Sequence, residues 1–298
     1  MFSAVTARQL GASSLHTAIY LERRFRAHLV RRHNLLLDSQ YMAPSAGASP
    51  IANLFLVLAG HSYVHGHGWV AAPHALCLDA NEFERVDRDA VRFCSWGTPC
   101  VLIDLRVHRD DLGLPIGLRH GPVPLATPVV ELIAEATAEF CRAPSRIAPS
   151  IDFPRLLSQL TDAGWLRGSW HGAIAAVEPE SFHRLWNGLR PLLENSAVMS
   201  SMSDIQAATG LSLRQLSRDV KEFTQTFGLP GEGLRDVARV LRLRAAVVFL
   251  STPGATASEV ARQVGYASLD AMGRAFRDAK LPAPSVIQDH ARSVALPR

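Results

Sequence analysis

The chain has 298 residues, long enough for two domains, and its 48% hydrophobic and 19% charged content is ordinary for a globular protein. No apolar run reaches the roughly 18 residues that span a bilayer, and the N-terminus lacks the features of a secretory signal, so we expect a cytoplasmic protein. Cys77, Cys94, Cys100 and Cys141 have no metal-type spacing and are too few for a disulfide scaffold, so we expect buried thiols.

The formal net charge is +4, and the excess lies at one end of the chain. Residues 200–298 contain 13 of the 31 Lys and Arg but 9 of the 27 Asp and Glu, so the first 199 residues are balanced. A positive bias there agrees with contact to phosphates. On its own it decides little, because many basic faces are merely solvated.

Residues 1–40 include a basic run, LERRFRAHLVRRHNLLL. The run could be a second nucleic-acid or membrane patch. We favour a strand pair or a helix whose charged face is solvated. Residues 43–50 (APSAGASP) have the composition of a loop.

Residues 51–107 have a short, β-like pattern. Strand-length apolar or alternating runs cover 54–60, 75–80 and 100–107, and glycines and prolines separate them. Several short strands with close turns predict a small barrel or sandwich.

Histidines and aromatic residues within this segment suggest a pocket. His65 and His67, if on a strand, would place both imidazoles on one face, a usable metal geometry. No Glu follows the pair within a few residues to complete a set of metal ligands, so we predict no metal and no cofactor. The candidate effector-pocket residues are His65, His67, Trp69, Phe93 and Trp96. The alternative is that these side chains are plain core.

Beyond residue 115 the spacing becomes helical. Helices are predicted over 127–142, 152–166 and 178–195. Their leucine stripes would pack on the β-rich part or, equally, between two subunits. Residues 196–204 (SAVMSSMSD) are interpreted as a hinge.

The most informative stretch is ASEVARQVGYASLDAMGRAFRDAKLPAPS, residues 257–285. Gly265 stands at a turn where a positive φ is needed, and Ser268 is placed to cap the next helix. In that helix Leu269, Met272 and Phe276 recur as one buried face. The pattern is typical of a helix-turn-helix.

An internal repeat strengthens this prediction. SLRQLSRDVK, residues 212–221, aligns without gaps on SLDAMGRAFR, residues 268–277. Two copies of one supersecondary unit are far less likely to arise by chance than one.

With these residues the sequence resembles the AraC/XylS family of bacterial transcription regulators. The resemblance covers about residues 200–290, in LSLRQLSRDVKEF, VARVLRLRAAVVFL, EVARQVGYASLDAMGRAFR and the closing PAPS. It departs from the family pattern at Gln206, at Lys280-Leu281 and at Ile287-Gln288. The resemblance implies an α+β protein with a cupin-like sensor domain over 1–126, a helical linker or dimerisation region over 127–195 and a two-unit DNA-binding domain over 200–298.

Two recognition helices, about 212–223 and 268–279, are expected to enter the major groove about one helical turn apart. We predict that Arg214 and Gln215 read bases, while Arg218 and Lys221 contact phosphates. The full set of candidate DNA-binding residues is Ser212, Arg214, Gln215, Arg218, Lys221, Ser268, Asp270, Ala271, Arg274 and Arg277. The alternative for each arginine is a solvated surface charge.

The resemblance implies a non-enzymatic regulator that binds double-stranded DNA, with a small-molecule effector, a homodimer and RNA polymerase as further expected partners and no membrane. One rival hypothesis is an enzyme with a cupin-type metal centre and a helical tail, although no HExxH, G-x-S-x-G or phosphate-binding glycine loop is found. Another is a protein-interaction module that has lost DNA binding.

Overall fold

The computed structural model describes residues 1–41, 51–79, 91–113, 121–142, 147–170, 177–195, 202–229 and 233–294. The predicted loop over 43–50 lies outside these residues. Eleven strands are found among the described residues, and they include the three that the sequence predicted. The strands are β1 Phe2–Leu10, β2 Ser13–Leu21, β3 Phe25–His33, β4 Leu36–Asp38, β5 Ile51–Ala59, β6 His61–Val64, β7 Gly68–Ala71, β8 His74–Asp79, β9 Val91–Cys94, β10 Cys100–His108 and β11 Val123–Pro124.

The strands form two antiparallel sheets. The large sheet has the order β1-β2-β3-β10-β5-β8-β11, and the small sheet has the order β4-β9-β6-β7. Residues 1–40 therefore supply four strands rather than a solvated strand pair or helix.

Side chains alternate between the two faces of the large sheet, as strand geometry requires. Along β3, Ala27 and Leu29 belong to the core on one face, whereas His28 and Arg32 line a cavity on the other. The expectation of a solvated charged face is wrong for Arg26 and Arg32, which are 8% and 5% exposed. The two-residue period of the strand places them on the inner side of a covered sheet.

Nine helices lie in the described part of the chain. They are α1 Thr127–Arg142, α2 Phe153–Asp162, α3 Glu180–Glu194, α4 Met202–Thr209, α5 Leu213–Thr226, α6 Leu234–Phe249, α7 Ala257–Gln263, α8 Leu269–Asp278 and α9 Pro284–Ser293. The predicted hinge is wrong for residues 202–204, which begin α4. No helix of the described segments is long and apolar enough to cross a membrane.

The helices cover both faces of the large sheet. Helices α1 and α2 pack on the face that carries Ala27 and Leu29, through Ile133, Phe153 and Leu156. On the opposite face, one hydrophobic cluster joins strand residues to α6–α9, and another joins β1 and β2 to α3–α6. The α+β class expected from the sequence is thus confirmed. The cores of the β-rich and helical parts are shared rather than separate.

Gly188 of α3 marks a close contact with α4. A Cβ added there would lie 2.9 Å from Ile205 Cγ2 and 3.2 Å from Thr209 Cγ2. We therefore expect Gly188→Ala to lower the free energy of unfolding by about 1–3 kcal/mol, because the buried Ile205 has little room to move. Urea unfolding followed by circular dichroism measures the change.

Gly273 of α8 provides the matched control. A Cβ there would meet no heavy atom of the described residues within 4 Å outside its own helix backbone and chain neighbours. Gly273→Ala should instead raise the free energy of unfolding by about 0.5–1 kcal/mol, the difference in helix propensity. The same sign for both variants would contradict the assigned α3–α4 contact.

Candidate nucleic-acid interface and effector cavity

Two helix-turn-helix units are present, α4–α5 and α7–α8, and α6 joins them. Each turn contains a glycine with positive φ, Gly210 at 68° and Gly265 at 91°. The prediction for Gly265 is confirmed. Gly210 precedes the next helix cap by two residues and Gly265 by three, so the stretch from glycine to cap is one residue longer in the second unit.

Side-chain caps define where three of these helices begin. Ser212 Oγ accepts a hydrogen bond from Gln215 N (3.3 Å) at α5, and Ser268 Oγ accepts one from Ala271 N (3.1 Å) at α8. Thr256 and Glu259 form a capping box at α7. Such caps satisfy helix N–H groups that have no partner within the helix.

The aligned residues of the two repeats have matching exposure. Leu216 and its counterpart Met272 are both 0% exposed, and Val220 and Phe276 are 2% and 0% exposed. The cationic pairs of the alignment, Arg218 with Arg274 and Lys221 with Arg277, are all exposed. Each unit therefore buries one helix face and presents cations on the other.

Two details differ from the sequence predictions. Leu269, expected on the buried face of α8, is 40% exposed, and its counterpart Leu213 is 54% exposed, because each is the first residue of its helix. Gln215, expected to read adenine, uses Oε1 to accept a hydrogen bond from Ser212 Oγ (2.8 Å). In this conformation its carbonyl is not available for a bidentate contact.

The other candidate DNA-binding residues lie at the surface of the two units. Arg218 Nε is 3.3 Å from Asp219 Oδ1, an exposed pair that leaves the guanidinium largely in solvent. Nine of the ten candidates are exposed and Ala271 is half-buried. Whether they contact DNA stays a prediction.

A cavity of about 150 Å³ lies between the large sheet and the joining helix α6. Strands β1, β2, β3, β5 and β10 of the large sheet form one wall, and α6 with the end of α3 forms the other; Leu37 of β4 and Tyr41 complete the lining. Most of its surface is apolar, from residues such as Val30, Phe55 and Val248. Its charged and titratable lining residues are Arg8, His28, Arg32, Tyr41, Asp104, Arg106 and Arg244.

None of the five predicted effector-pocket residues lines this cavity. Phe93 contacts its wall, because its ring centroid is 5.0 Å from that of Phe55 and 5.6 Å from Arg32 Cζ. Trp69 packs edge-on against Tyr63, and Trp96 packs with Leu36 and Ala291. Their role in binding an effector stays a prediction.

The two remaining members of that set, His65 and His67, lie in the turn between β6 and β7. The expectation that they share one strand face is wrong, because the strand ends at Val64. Both side chains are exposed. Within the described segments no group of three or more His, Cys, Asp and Glu could hold a metal ion.

Buried charges on the large sheet surround Asp104. Arg106 donates to Asp104 Oδ2 from Nε (2.8 Å) and Nη2 (2.5 Å), and Asn53 Nδ2 donates to Oδ1 (2.7 Å). On neighbouring β3, Arg26 donates through Nη1 to the Gly228 carbonyl oxygen, just after α5. Burial, together with the nearby Arg106, lowers the pKa of Arg244 on α6 to about 9, although Asp104 opposes the shift.

The β-rich part also contacts the end of the joining helix, the second helix-turn-helix unit and α9 directly. The N–H of Leu36 donates to Ser251 Oγ (2.8 Å), immediately after α6. Gln263 Nε2 at the end of α7 donates to the Gln9 carbonyl (3.0 Å). Asp38 Oδ2 accepts a hydrogen bond from Arg92 Nε (2.7 Å) and lies 3.0 Å from His290 Nε2 on α9.

His28 predicts a pH dependence of stability. Burial and the positive charges of Arg106, Arg26 and Arg244 lower its pKa well below the ordinary 6.5. Below about pH 6.5 the unfolded chain therefore binds a proton that the folded protein does not bind. As the pH is lowered further, the free energy of unfolding decreases by up to about 1.4 kcal/mol per pH unit. His28→Gln should reduce the fall in Tm between pH 7 and pH 5.5, measured by differential scanning calorimetry.

The control is His65→Gln, which changes an exposed imidazole and should keep the pH dependence of the parent protein. Equal pH dependence in both variants would show that His28 is protonated in the folded protein.

Comparison with known proteins gives structural neighbours only. No family model and no curated protein matches the chain. A crystal structure of ToxT from Vibrio cholerae is 9% identical, with 89% of this chain and 98% of that chain covered and a TM-score of 0.34. ToxT with a bound unsaturated fatty acid is 11% identical, with 93% and 99% covered and a TM-score of 0.33. The AraC-like transcriptional activator CuxR is 16% identical, with 80% and 78% covered and a TM-score of 0.25.

At these identities and TM-scores the similarity assigns neither an activity nor a ligand to this chain. The structure itself has an N-terminal β-rich part followed by two helix-turn-helix units that α6 joins. This is the architecture that the sequence resemblance to the AraC/XylS family predicted.

Proposed function

We propose that the chain is a non-enzymatic transcription regulator of the AraC/XylS type, which binds double-stranded DNA through α5 and α8. One observation carries the proposal: the two units expose cations at aligned positions while they bury the aligned pairs Leu216–Met272 and Val220–Phe276. A helix-turn-helix needs this division, because one helix face packs on its own unit and the other meets the groove.

Charge supports the proposal further. Arg214, Arg218 and Lys221 are exposed on α5, and Arg274 and Arg277 are exposed on α8. Cations that neutralise phosphates release counterions, which gives affinity and makes it depend on salt.

The two units should have different roles. Arg214 is proposed to read a guanine, since its guanidinium can make a bidentate contact to O6 and N7. Gln215 could contact a base as well only if its side chain gave up its hydrogen bond with Ser212. In α8, Asp270 would repel phosphates, so we assign base readout mainly to the first unit and a positioning role to the second.

Control by an effector is proposed to act through α6. The cavity is lined by this helix, including Leu241 and Arg244, and by the large sheet. The N-terminal half of α6 shares its core with the first unit, through Leu234 and Val237, and the C-terminal half shares its core with the second, through Leu243 and Phe249. A ligand between sheet and helix would therefore act on the element that sets the relative position of both recognition helices.

Several further expectations from the sequence are retained as parts of the proposal. They are the division into 1–126, 127–195 and 200–298, the homodimer, contact with RNA polymerase and a cytoplasmic location.

Replacing Arg214 and replacing Arg218 by alanine should impair DNA binding in different ways. The full-length chain would first be used to select a binding site from random duplexes. Arg214→Ala should then lose about 10–100-fold in affinity for that site and tolerate base changes at one position, because it removes a base contact. Arg218→Ala should weaken binding to all sequences alike and reduce the salt slope by about 1.

Fluorescence anisotropy at several salt concentrations measures both effects. Arg155→Ala, which removes an exposed arginine from α2, is the control and should change neither affinity nor slope. If a folded protein selects no sequence and binds DNA without dependence on salt, the DNA-binding proposal fails and the protein-interaction alternative is favoured.

A further inference from the structure

We propose that the cavity between the large sheet and α6 binds a compact organic anion, with its charged group between Arg106 and Arg244 and its apolar body along Val30, Phe55 and Val248. This inference deepens the proposed function by naming the class of effector.

The charge balance around the cavity is the first argument. Among its described lining residues four are arginines and one, Asp104, is an acid. Asp104 is already engaged by Arg106 and Asn53. Adjacent to this pair, Arg26 adds a further positive charge that is 8% exposed. Buried charges are costly unless they are paired, so this cluster favours a bound negative group.

Unsatisfied hydrogen-bond donors are the second argument. Arg32, 5% exposed, has Nε and Nη1 shielded from solvent with no acceptor among the described residues, and the same holds for Nε of Arg244. Buried polar groups nearly always have a partner. Guanidinium groups bind carboxylates through hydrogen bonds, so an anionic oxygen fits the unpaired Nε of Arg244. Arg32 lies six residues along β3 from Arg26, the partner of Arg106, so it adds positive charge to the cavity but would not hold the same oxygens.

The position of these groups determines where the anion would lie. Asp104 of β10 pairs in register with His28 on β3 and with Phe55 on β5. Arg106 is two residues further along the same face of β10, and Arg244 approaches this cluster from α6. Burial and the nearby Arg106 lower the pKa of Arg244, which shows that these cations disfavour one another. An anion between them would reverse that effect.

Size and polarity limit the rest of the ligand. A cavity of about 150 Å³ is close to one that holds benzene. The rest of the lining is largely aliphatic and aromatic, so a body of roughly six to nine carbon atoms should be preferred to a sugar or a bare inorganic ion.

The test uses the full-length chain and three compact carboxylates: benzoate, cyclohexanecarboxylate and 4-methylpentanoate. We expect at least one to bind with one-to-one stoichiometry by isothermal titration calorimetry and to raise Tm. Its neutral amide should bind about tenfold or more weakly, because charge-assisted hydrogen bonds are lost. Acetate, which lacks the apolar body, should also bind more weakly.

Arg244→Met is the informative variant. It should lose about tenfold or more in affinity for the carboxylate, while its Tm without ligand stays equal to or above that of the parent protein, since an uncompensated charge has been removed. Arg239→Met, at an exposed position of the same helix, is the matched control and should keep the affinity.

Three outcomes would overturn the inference. The first is that none of the three carboxylates binds at up to about 10 mM, which corresponds to a binding free energy weaker than about 3 kcal/mol. The second is that the acid and its amide bind with equal affinity. The third is that Arg244→Met binds the carboxylate as tightly as the parent protein does. Tighter binding of a long-chain carboxylate such as oleate would overturn the size limit. DNA binding is measured separately, so its presence without carboxylate binding would refute this inference and leave the proposed function standing.

Discussion

The structure depends on how one antiparallel sheet distributes polar and apolar residues between its two faces. On one face, residues such as Ala27 and Leu29 meet α1 and α2 in an apolar core. On the other, Arg26, Arg32, Asp104 and Arg106 are nearly inaccessible to solvent. Charged side chains on a covered face are costly, and stability must therefore come from the apolar clusters around them. Buried charged side chains beside a cavity are typical of a ligand-binding site.

The same face, together with β4 of the small sheet, contacts helices of the C-terminal part. Arg26 donates to the carbonyl of Gly228 after α5, and Leu36 donates to Ser251 after α6. The aromatic ring of Phe2 in β1 lies within 5.6 Å of those of Phe223 and Phe227, in and just after α5. Because both units share cores with the sheet, neither can move far without repacking strand residues. The helical part therefore cannot be treated as an independent module.

The sequence predicted those features that are local and periodic. The helix over 127–142 is found with the predicted bounds, and the repeated units are found because a gapless repeat shows a helix together with its cap. Burial of Arg26 and Arg32 could not be predicted, since a basic run looks the same whether a neighbouring helix covers it or not. The cavity could not be predicted either, because its lining comes from six strands and two helices that are far apart in the chain. The strand end at Val64, which moves the histidine pair into a turn, depends on pairing with β7 and β9.

The joining helix is well placed to convert a small change at the cavity into a change in DNA binding. It has 16 residues, which gives a length of about 24 Å, and the cavity contacts its second half from Leu241 to Val248. A tilt of about 5° around its midpoint would move each end by about 1 Å in opposite directions. One end leads back to α5 and the other leads to α7 and α8, so such a tilt would change the relative position of the recognition helices. Groove contacts depend on that position, because hydrogen bonds weaken steeply when donor and acceptor are misaligned. A ligand that binds between sheet and helix could thus regulate DNA binding without unfolding either unit.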